Sequence, residues 1–306
     1  MKYSILGKNG PKVSNICLGT WPIGGGMGPL EQKEAVSAID ASIDEGVNFL
    51  DTAQMYLESE SIIGNTLKGK RENLILASKL SSWENLEDID FAIENSLRNL
   101  KTDYIDLYQV HSWKESIPME ETMEKLLRLK DKGLFKYLGV SNFYTEQIER
   151  INKYTNNQII SIQPHYSILF RYSEIDPIPQ SEKLGIGSIV YSPIGRGLLS
   201  GIYKPGHKFD QNDTRANHHA FKKDYFERGY KIFESLQNIA KDKNCNVSQL
   251  VIAWTLQTKG VISSICGAKN SEQAISNAKA GDISFSKNEL QTIENLTKPF
   301  SVFEKV

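Results

Sequence analysis

The sequence predicts one domain folded as a closed (β/α)8 barrel, an α/β architecture also called a TIM barrel. Three observations support this prediction. Short apolar segments alternate with amphipathic ones, eight of the apolar segments have the length of strands, and 306 residues suffice for one barrel. A sheet of eight parallel strands, each followed by a helix, closes on itself and has no free edge. We therefore assign residues 1–306 to a single barrel domain.

The first predicted element is a β-hairpin that precedes the barrel. Residues 3–16 alternate between apolar and polar side chains around the segment KNGP. The Asn9-Gly10 pair in this segment favours the positive φ angles of a two-residue hairpin turn. We expect the hairpin to serve as a lid or a plug on the barrel.

The eight barrel strands follow in chain order. Each is a run of mainly apolar residues bounded by loop residues, as expected for strands buried on both faces. In sequence they are ICLGTW (16–21), NFLDTA (48–53), LILASKL (74–80), IDLYQVH (105–111), KYLGVSN (136–142), IISIQPHY (159–166), GSIVYSP (187–193) and VISSICGA (261–268).

Amphipathic helices are predicted between the strands, because apolar residues recur there at spacings of three and four. The predicted helices cover residues 32–46, 88–100, 119–133, 145–154, 224–244, 247–260 and 272–280, and an extra C-terminal helix covers 286–296. Several of them end at a glycine, which suits the left-handed residue that terminates many helices. Between Ile194 and Asp224 the periodicity is weak, and a loop of this length is usually a functional lid.

Composition limits the classes of function. The 36 Lys and Arg residues nearly balance 37 Asp and Glu residues, the net charge is −1, and no basic face suggests nucleic-acid binding. The three cysteines are too few and too scattered for a disulfide framework. The N-terminus lacks a signal-peptide pattern, and no apolar run is long enough to span a membrane. We therefore predict a cytoplasmic protein that acts on a small molecule, with its oligomeric state left open.

Polar side chains stand at the ends of consecutive predicted strands, where the active sites of barrels lie. Asp51 ends the second strand, Lys79 the third and His111 the fourth, and Tyr56 follows Asp51 by five residues. A buried charge is costly unless it is paired, so Asp51 and Lys79 on adjacent strands are expected to form an ion pair. Packing alone gives no reason for four reactive side chains at neighbouring strand ends.

This arrangement predicts acid–base chemistry. If the Tyr56 hydroxyl lies near the Lys79 ammonium, the cation favours the phenolate and lowers the pKa of Tyr56 from its ordinary value of about 10. Tyr56 can then transfer a proton near neutral pH. His111, one strand further round, can hydrogen-bond the same substrate oxygen.

Seven sequence blocks, in the same order, resemble those of the aldo-keto reductases, most closely the bacterial general-stress and inositol-catabolism type. The resemblance covers residues 5–296, and its blocks are GVNFLDTAQMYLESE, LASKL, TDYIDLYQVHS, GVSNF, IQPHYSIL, VYSPIGRGLLSG and ICGAKNSEQAISN. It implies NADPH-dependent reduction of an aldehyde or ketone to an alcohol. Tyr56 is the implied proton donor and Lys79 lowers its pKa. Asp51 orients Lys79, and His111 positions the carbonyl.

The resemblance also implies residues that bind the nicotinamide cofactor. Ser141, Asn142 and Gln163 match the positions that hydrogen-bond the carboxamide, and Tyr191 matches the aromatic residue that stacks on the ring. The segment 192–201 matches the loop over the pyrophosphate, where glycines let backbone amides approach anionic oxygens. The complete implied set is Gly19, Thr20, Trp21, Ser141, Asn142, Gln163, Tyr191, Ser192, Pro193, Ile194, Gly195, Arg196, Gly197, Leu198, Gly267, Ala268, Lys269, Gln273 and Asn277.

Two positions bear on specificity. Lys269 belongs to the adenosine-side motif that opens the last barrel helix, and helix N-termini favour anions. A cation there would contact a 2′-phosphate, so the resemblance favours NADPH/NADP over NADH, although a lysine lacks the arginine fork. Leu57 stands where many members carry glycine, so the loop that bears Tyr56 is expected to be less tight or to reach further over the pocket.

Two other functions remain open. One is a nicotinamide-nucleotide-sensing regulatory subunit of the kind that serves potassium channels, which resembles the same family, although the complete tetrad favours an enzyme. The other is a barrel aldolase that uses Lys79 as a Schiff base. No metal is predicted, because His207, His218 and His219 have no Cys or carboxylate at ligand spacing. The glycine-rich segment 24–28 is out of register with a dinucleotide fingerprint and is predicted to be a flexible rim loop.

Overall fold

The computed structural model describes residues 1–81 and 83–305, and its eight parallel strands close into the predicted barrel. Strands pair in chain order, and the last pairs with both the first and the seventh barrel strand. A separate antiparallel hairpin consists of β1 (Tyr3–Ile5) and β2 (Lys12–Ser14). The barrel strands are β3 (Ile16–Gly19), β4 (Phe49–Asp51), β5 (Ile75–Leu80), β6 (Ile105–Val110), β7 (Phe135–Ser141), β8 (Ile159–Gln163), β9 (Gly187–Tyr191) and β10 (Val261–Gly267).

All the predicted helices are present, and two short ones occur in addition. The helices are α1 (Gln32–Asp44), α2 (Ser59–Thr66), α3 (Glu87–Leu100), α4 (Met119–Asp131), α5 (Thr145–Tyr154), α6 (Ile178–Lys183), α7 (Lys223–Asp242), α8 (Val247–Thr255), α9 (Ser271–Ala280) and α10 (Lys287–Thr297). The unpredicted pair is α2 and α6. Across residues 1–81 and 83–305, none of the helices is both long and apolar enough to cross a bilayer.

The hairpin is present, but its predicted turn is wrong. Asn9 and Gly10 do not adopt positive φ angles; instead Gly7 is left-handed, with φ 65°. A Cβ at Gly7 would lie 2.3 Å from the Ile160 carbonyl oxygen, so this close approach requires glycine. Leu6 and Val13 are fully buried in the cluster inside the barrel. Since Ile160 lies at the start of β8, the hairpin plugs the N-terminal end of the barrel and leaves the opposite rim open.

The long segment after β9 folds back over this open rim. It contains three 3-10 turns, Gly195–Ser200, Thr214–Asn217 and His219–Phe221. Arg215 and Asp213 form a buried ion pair of 2.6 Å, and the Arg215 guanidinium stacks 4.6 Å from the Phe209 ring centroid. We refer to residues 194–224 as the lid.

Candidate active site

Asp51 and Lys79 form the predicted ion pair at the C-terminal rim. Register places Asp51 of β4 opposite Ala77 of β5, so Lys79 follows two residues later on the same face. Lys79 Nζ lies 2.5 Å from Asp51 Oδ1 and also donates to the Thr52 carbonyl at 2.7 Å. Both side chains are almost completely buried. The ammonium therefore has fixed partners and a fixed direction.

The Tyr56 hydroxyl reaches this pair from the loop between β4 and α2. Lys79 Nζ donates to it at 3.4 Å, as the sequence predicts. The ring makes edge-to-face contacts with Trp21 (4.9 Å between centroids) and His111 (5.8 Å). Gly24 lies against the Tyr56 carbonyl, where a Cβ would be only 2.0 Å from the oxygen. This contact helps to hold the loop that carries the phenol.

The net pKa shift of Tyr56 is opposite to the one expected. Burial of the phenol raises the pKa of Tyr56, and the lowering effect of Lys79 is smaller, so the pKa lies above its ordinary value. Burial lowers the pKa of Lys79, but attraction to Asp51 and Tyr56 outweighs it and the net shift is upward. At neutral pH the site thus holds a neutral phenol beside an ammonium ion, which is the protonation state of a proton donor.

His111 stands beside Tyr56 as a neutral imidazole. Burial, with a smaller contribution from Lys79, lowers the pKa of His111 to about 3. Its Nδ1 lies 2.8 Å from the Ser81 hydroxyl, which orients the ring. With Nδ1 engaged, Nε2 remains for a ligand. Tyr56 and His111 both line the cleft, so a carbonyl oxygen between them can contact both groups.

A glutamine that the sequence analysis missed belongs to the same cluster. Gln109 of β6 is fully buried, and its Nε2 donates to Asp51 Oδ2 at 3.1 Å. Gln163 Nε2 donates to the same oxygen at 2.9 Å. The signal was available, because Gln109 precedes His111 by two residues and so shares its face of the strand.

A cleft of about 910 Å³ extends from Tyr56 across the rim to α9. Most of the predicted cofactor residues line it: Gly19, Thr20, Trp21, Ser141, Asn142, Gln163, Tyr191, Ser192, Pro193, Ile194, Arg196, Gly197, Gly267, Lys269, Gln273 and Asn277. Gly195, Leu198 and Ala268 do not, because the Leu198 and Ala268 side chains pack in the apolar core and Gly195 is buried.

The predicted nicotinamide end is preorganised by hydrogen bonds. Asn142, left-handed with φ 59°, donates to the His111 carbonyl at 2.9 Å and accepts from the Tyr191 hydroxyl at 2.8 Å. His165 stacks against Tyr191, 5.2 Å between centroids and 17° between planes. Tyr191 therefore has one face supported by His165, and its ring also lines the cleft.

Cations and backbone N–H groups mark the other end. Asn270 caps α9, and Gln273 Oε1 accepts from the Lys269 backbone N–H at 3.0 Å. Burial, followed by repulsion from Arg215, lowers the pKa of Lys269. Arg196, half-buried, lies on the cleft wall closer to Tyr191 and Tyr56, and within the part of the chain that the structure describes it forms no ion pair. Anionic groups would relieve both the desolvation and the repulsion of these cations.

The rim loop 24–28, predicted to be flexible, is hydrogen-bonded to the lid and to Lys269. Thr214 Oγ1 donates to the Gly26 carbonyl at 2.5 Å. The Met27 carbonyl accepts from Lys269 Nζ and, at 3.4 Å, from Arg215. The lid therefore crosses the cleft and contacts the opposite wall.

The shape and chemistry of the cleft fit a nicotinamide dinucleotide. The groove has amide and hydroxyl groups beside an aromatic ring at one end, the Arg196 guanidinium on its wall near that ring, and the Lys269 ammonium beside the start of α9 at the other end. These features match a carboxamide, a flat ring and phosphate groups respectively. Among residues 1–81 and 83–305, no group of three or more His, Cys, Asp or Glu side chains is arranged to hold a metal ion.

Comparisons with known proteins agree with this geometry. The profile of the Aldo/keto reductase family matches residues 15–298. Aldo-keto reductase YhdN of Bacillus subtilis (strain 168) is 34% identical over 288 residues, which cover 89% of this chain and 86% of YhdN. Among solved structures, the glycerol dehydrogenase AKR11B4 of Gluconobacter oxydans superposes with a TM-score of 0.86 at 28% identity, and the match covers 99% of this chain and 97% of the dehydrogenase chain. The aldo-keto reductase AKR11C1 of Bacillus halodurans (holo form) superposes with a TM-score of 0.80 at 29% identity, and the match covers 97% of this chain and 96% of the AKR11C1 chain.

Proposed function

The chain belongs to the aldo/keto reductase family, whose members are oxidoreductases, and we propose that it reduces aldehydes or ketones to alcohols with NADPH. One observation carries the proposal: the Tyr56 hydroxyl lies 3.4 Å from an ammonium that is itself 2.5 Å from Asp51. The cleft for the substrate opens directly onto this hydroxyl.

The side chains have separate tasks in the proposed reaction. Nicotinamide, when bound, supplies the hydride for the carbonyl carbon. Tyr56 gives its proton to the carbonyl oxygen, and the Lys79 ammonium stabilises the phenolate that remains. Asp51 holds Lys79 in place through the 2.5 Å contact. His111 is neutral, with a pKa of about 3. In the proposed tautomer the Ser81 hydroxyl donates to Nδ1, so that Nε2 carries the proton, donates a hydrogen bond and positions the oxygen.

A preference for NADPH is proposed from the charge at the adenosine end. Lys269 is half-buried and its lowered pKa reflects burial and the nearby Arg215. A 2′-phosphate would offer Lys269 a charged acceptor, while with NADH its ammonium would keep only the Met27 carbonyl. Because Asp213 is close to the same cations, we expect a preference and not an absolute requirement.

The test has two stages. Protein fluorescence is titrated with NADPH and NADH, and a panel of aldehydes and ketones is then screened for oxidation of the bound cofactor. The panel includes short hydroxylated aldehydes and ketones, since one relative is named a glycerol dehydrogenase. Tyr56→Phe is the control: it should bind NADPH normally and lose turnover by about 100-fold or more. Full turnover in that variant would show that Tyr56 is not the proton donor.

The two alternatives predict other outcomes. A regulatory subunit would bind NADPH but show a single slow turnover in the same assay. An aldolase would require Lys79 as a free amine, whereas this ammonium has a raised pKa, is fully buried and is bonded to Asp51. Borohydride trapping of a carbonyl compound on Lys79 would nevertheless identify an aldolase directly.

A further inference from the structure

Three buried side chains join the proton-donating half of the site to the predicted cofactor half. Asp51 Oδ1 accepts from Lys79, while Oδ2 accepts from Gln109 at 3.1 Å and Gln163 at 2.9 Å. Gln163 Nε2 also donates to Gln109 Oε1 at 3.2 Å. These three side chains and that of Lys79 are each no more than 3% exposed. One carboxylate thus contacts both halves, through different oxygens.

The donors and acceptors of this network permit one orientation of each amide. A carboxylate accepts only, so both glutamines must turn an NH2 group towards Asp51. Gln109 then presents its oxygen to Gln163, and that oxygen also requires a donor. The two N–H groups of Gln163 are therefore both engaged. Its Oε1 is left to accept a hydrogen bond from a ligand in the cleft, which Gln163 lines.

The neighbouring strand makes room for Gln109. Register places Gly139 of β7 directly opposite Gln109. A Cβ at Gly139 would lie 3.1 Å from Gln109 Cγ and 2.4 Å from the Ser161 hydroxyl. The strand is therefore shaped around this side chain, and the amide has little freedom to move away from Asp51 and Gln163.

We propose that Gln109 is a positioning residue that acts together with Asp51: by engaging the second N–H group of Gln163 it holds the Gln163 amide oxygen towards the nicotinamide, so that the site selects the N–H group of a carboxamide. The inference rests on the proposed function, since it assumes that the nicotinamide lies at this end of the cleft. It also means that cofactor recognition and the Asp51–Lys79 pair depend on one shared hydrogen-bond network.

The test compares two cofactors that differ at one group. NADPH carries the carboxamide NH2, and its 3-acetylpyridine analogue carries a methyl group in that place. Dissociation constants are measured by protein fluorescence, without turnover. Wild type should bind NADPH about tenfold more tightly, the equivalent of one hydrogen bond to a fixed buried acceptor. In Gln109→Met, Gln163 keeps its bond to Asp51 but loses the bond that engages its second N–H group. The direction of its amide oxygen is then less restrained, and the ratio should fall to about twofold.

Matched variants separate positioning from packing. Ser161→Ala changes a buried side chain that makes no hydrogen bond within the described residues, and it should keep the wild-type ratio. Gln163→Met removes the amide and should abolish the preference. Circular dichroism checks that each variant is folded. If Gln109→Met does not fold, Gln109→Asn gives the same comparison, because its shorter amide is withdrawn from Gln163.

Each outcome decides something different. An equal preference in wild type and Gln109→Met, or no preference in wild type, would overturn the positioning role while leaving carbonyl reduction intact. If wild type fails to bind NADPH at all, both this inference and the proposed function are overturned. A reduced preference in Gln109→Met with an unchanged one in Ser161→Ala supports the inference.

Discussion

The Tyr56 phenol is subject to two opposing effects at the scale of a single residue. Burial disfavours the phenolate and the ammonium 3.4 Å away favours it, with burial the larger effect on its pKa. A residue that must donate a proton benefits from this balance, because it stays protonated until its oxygen partner becomes basic during the reaction. The contact between Tyr56 and Lys79 was predictable, because Lys79 ends the strand next to the one that Asp51 ends. The burial of the Tyr56 ring was not predictable, because Trp21 and Gly24 contact Tyr56 only in the folded chain.

Replacement of Lys79 by methionine should cripple reduction and spare cofactor binding. The change removes the group that stabilises phenolate, so we expect kcat to fall by about 100-fold or more. Lys79 does not line the cleft, so the dissociation constant of NADPH should change by less than about threefold. Single-turnover kinetics and fluorescence titration measure the two quantities.

This variant needs a control for stability, because it leaves Asp51 as a buried carboxylate without its cation. Loss of one partner of a buried pair costs about 3–5 kcal/mol of unfolding free energy. The double variant Asp51→Asn/Lys79→Met removes both charges and should recover much of that stability while remaining inactive. Normal reduction rates in the single variant would contradict the proposed role of the ion pair.

Leu57, next to the proposed proton donor Tyr56, is held in a strained conformation. Its φ is 48°, in the left-handed region, and its side chain is 68% exposed. We predict that Leu57→Gly raises the free energy of unfolding by about 0.5–1 kcal/mol through relief of this strain. Leu57→Ala keeps a Cβ and should give no gain. Chemical denaturation of both variants measures the difference; equal stabilities would show that the strain is negligible.

At the scale of elements, the sequence predicted the barrel strands and the long helices, but not the short helices or the hairpin turn. The apolar runs identify all eight barrel strands, because a strand covered on both faces must be apolar. Helices α2 and α6 are too short for a convincing periodicity. The hairpin turn was misassigned because an Asn-Gly pair favours a tight turn locally, whereas Gly7 is required by contact with Ile160. The spacing of Gln109 from His111 predicted the face of the strand on which it lies, but its bonds to Asp51 and Gln163 could be identified only from the fold.

The lid makes a contact across the cleft that should control cofactor release. Thr214 Oγ1 donates to the Gly26 carbonyl at 2.5 Å from the opposite wall. Thr214→Val removes this bond without a change of charge or volume. A net loss of about 1 kcal/mol should accelerate NADPH dissociation about fivefold in stopped-flow fluorescence. Thr292→Val, on α10, removes a hydrogen bond within one helix and should leave the rate unchanged. An unaltered rate in Thr214→Val would mean that the contact does not restrain the lid.

At the scale of the whole molecule, barrel closure determines which residues meet. Asp51, Gln109 and Gln163 are separated by more than fifty residues at each step, yet the alternate strands β4, β6 and β8 bring both amides to one oxygen atom of Asp51. The plug at the N-terminal end fills the interior beneath them with Leu6 and Val13. The eight predicted strands, taken in order, indicated that polar residues would meet at the C-terminal rim and that Asp51 and Lys79 would pair there. The shared carboxylate required the register of the five strands from β4 to β8, which no local pattern contains.

Three histidines at the open rim and in the lid are partly buried, and this affects how the stability of the whole molecule depends on pH. Burial lowers the pKa of His111, His165 and His218 to about 3 in the folded chain. In the unfolded chain these imidazoles titrate near their ordinary pKa of about 6.5. Below that pH the unfolded state binds protons that the folded state excludes, so the stability present above pH 6.5 is progressively lost as the pH falls.

Urea denaturation at pH 7.5, 6.0 and 5.0 should therefore show a falling midpoint, in a range where most carboxylates, with pKa values near 4, remain ionised. His165→Asn removes one of the three groups but keeps a polar side chain behind Tyr191. Its midpoint should depend less steeply on pH than that of the wild type, since one fewer proton is taken up on unfolding. A midpoint that stays constant from pH 7.5 to 5.0 in wild type would mean that these imidazoles accept protons in the folded barrel, and that His111 is not a neutral hydrogen-bond donor at the lower end of this range.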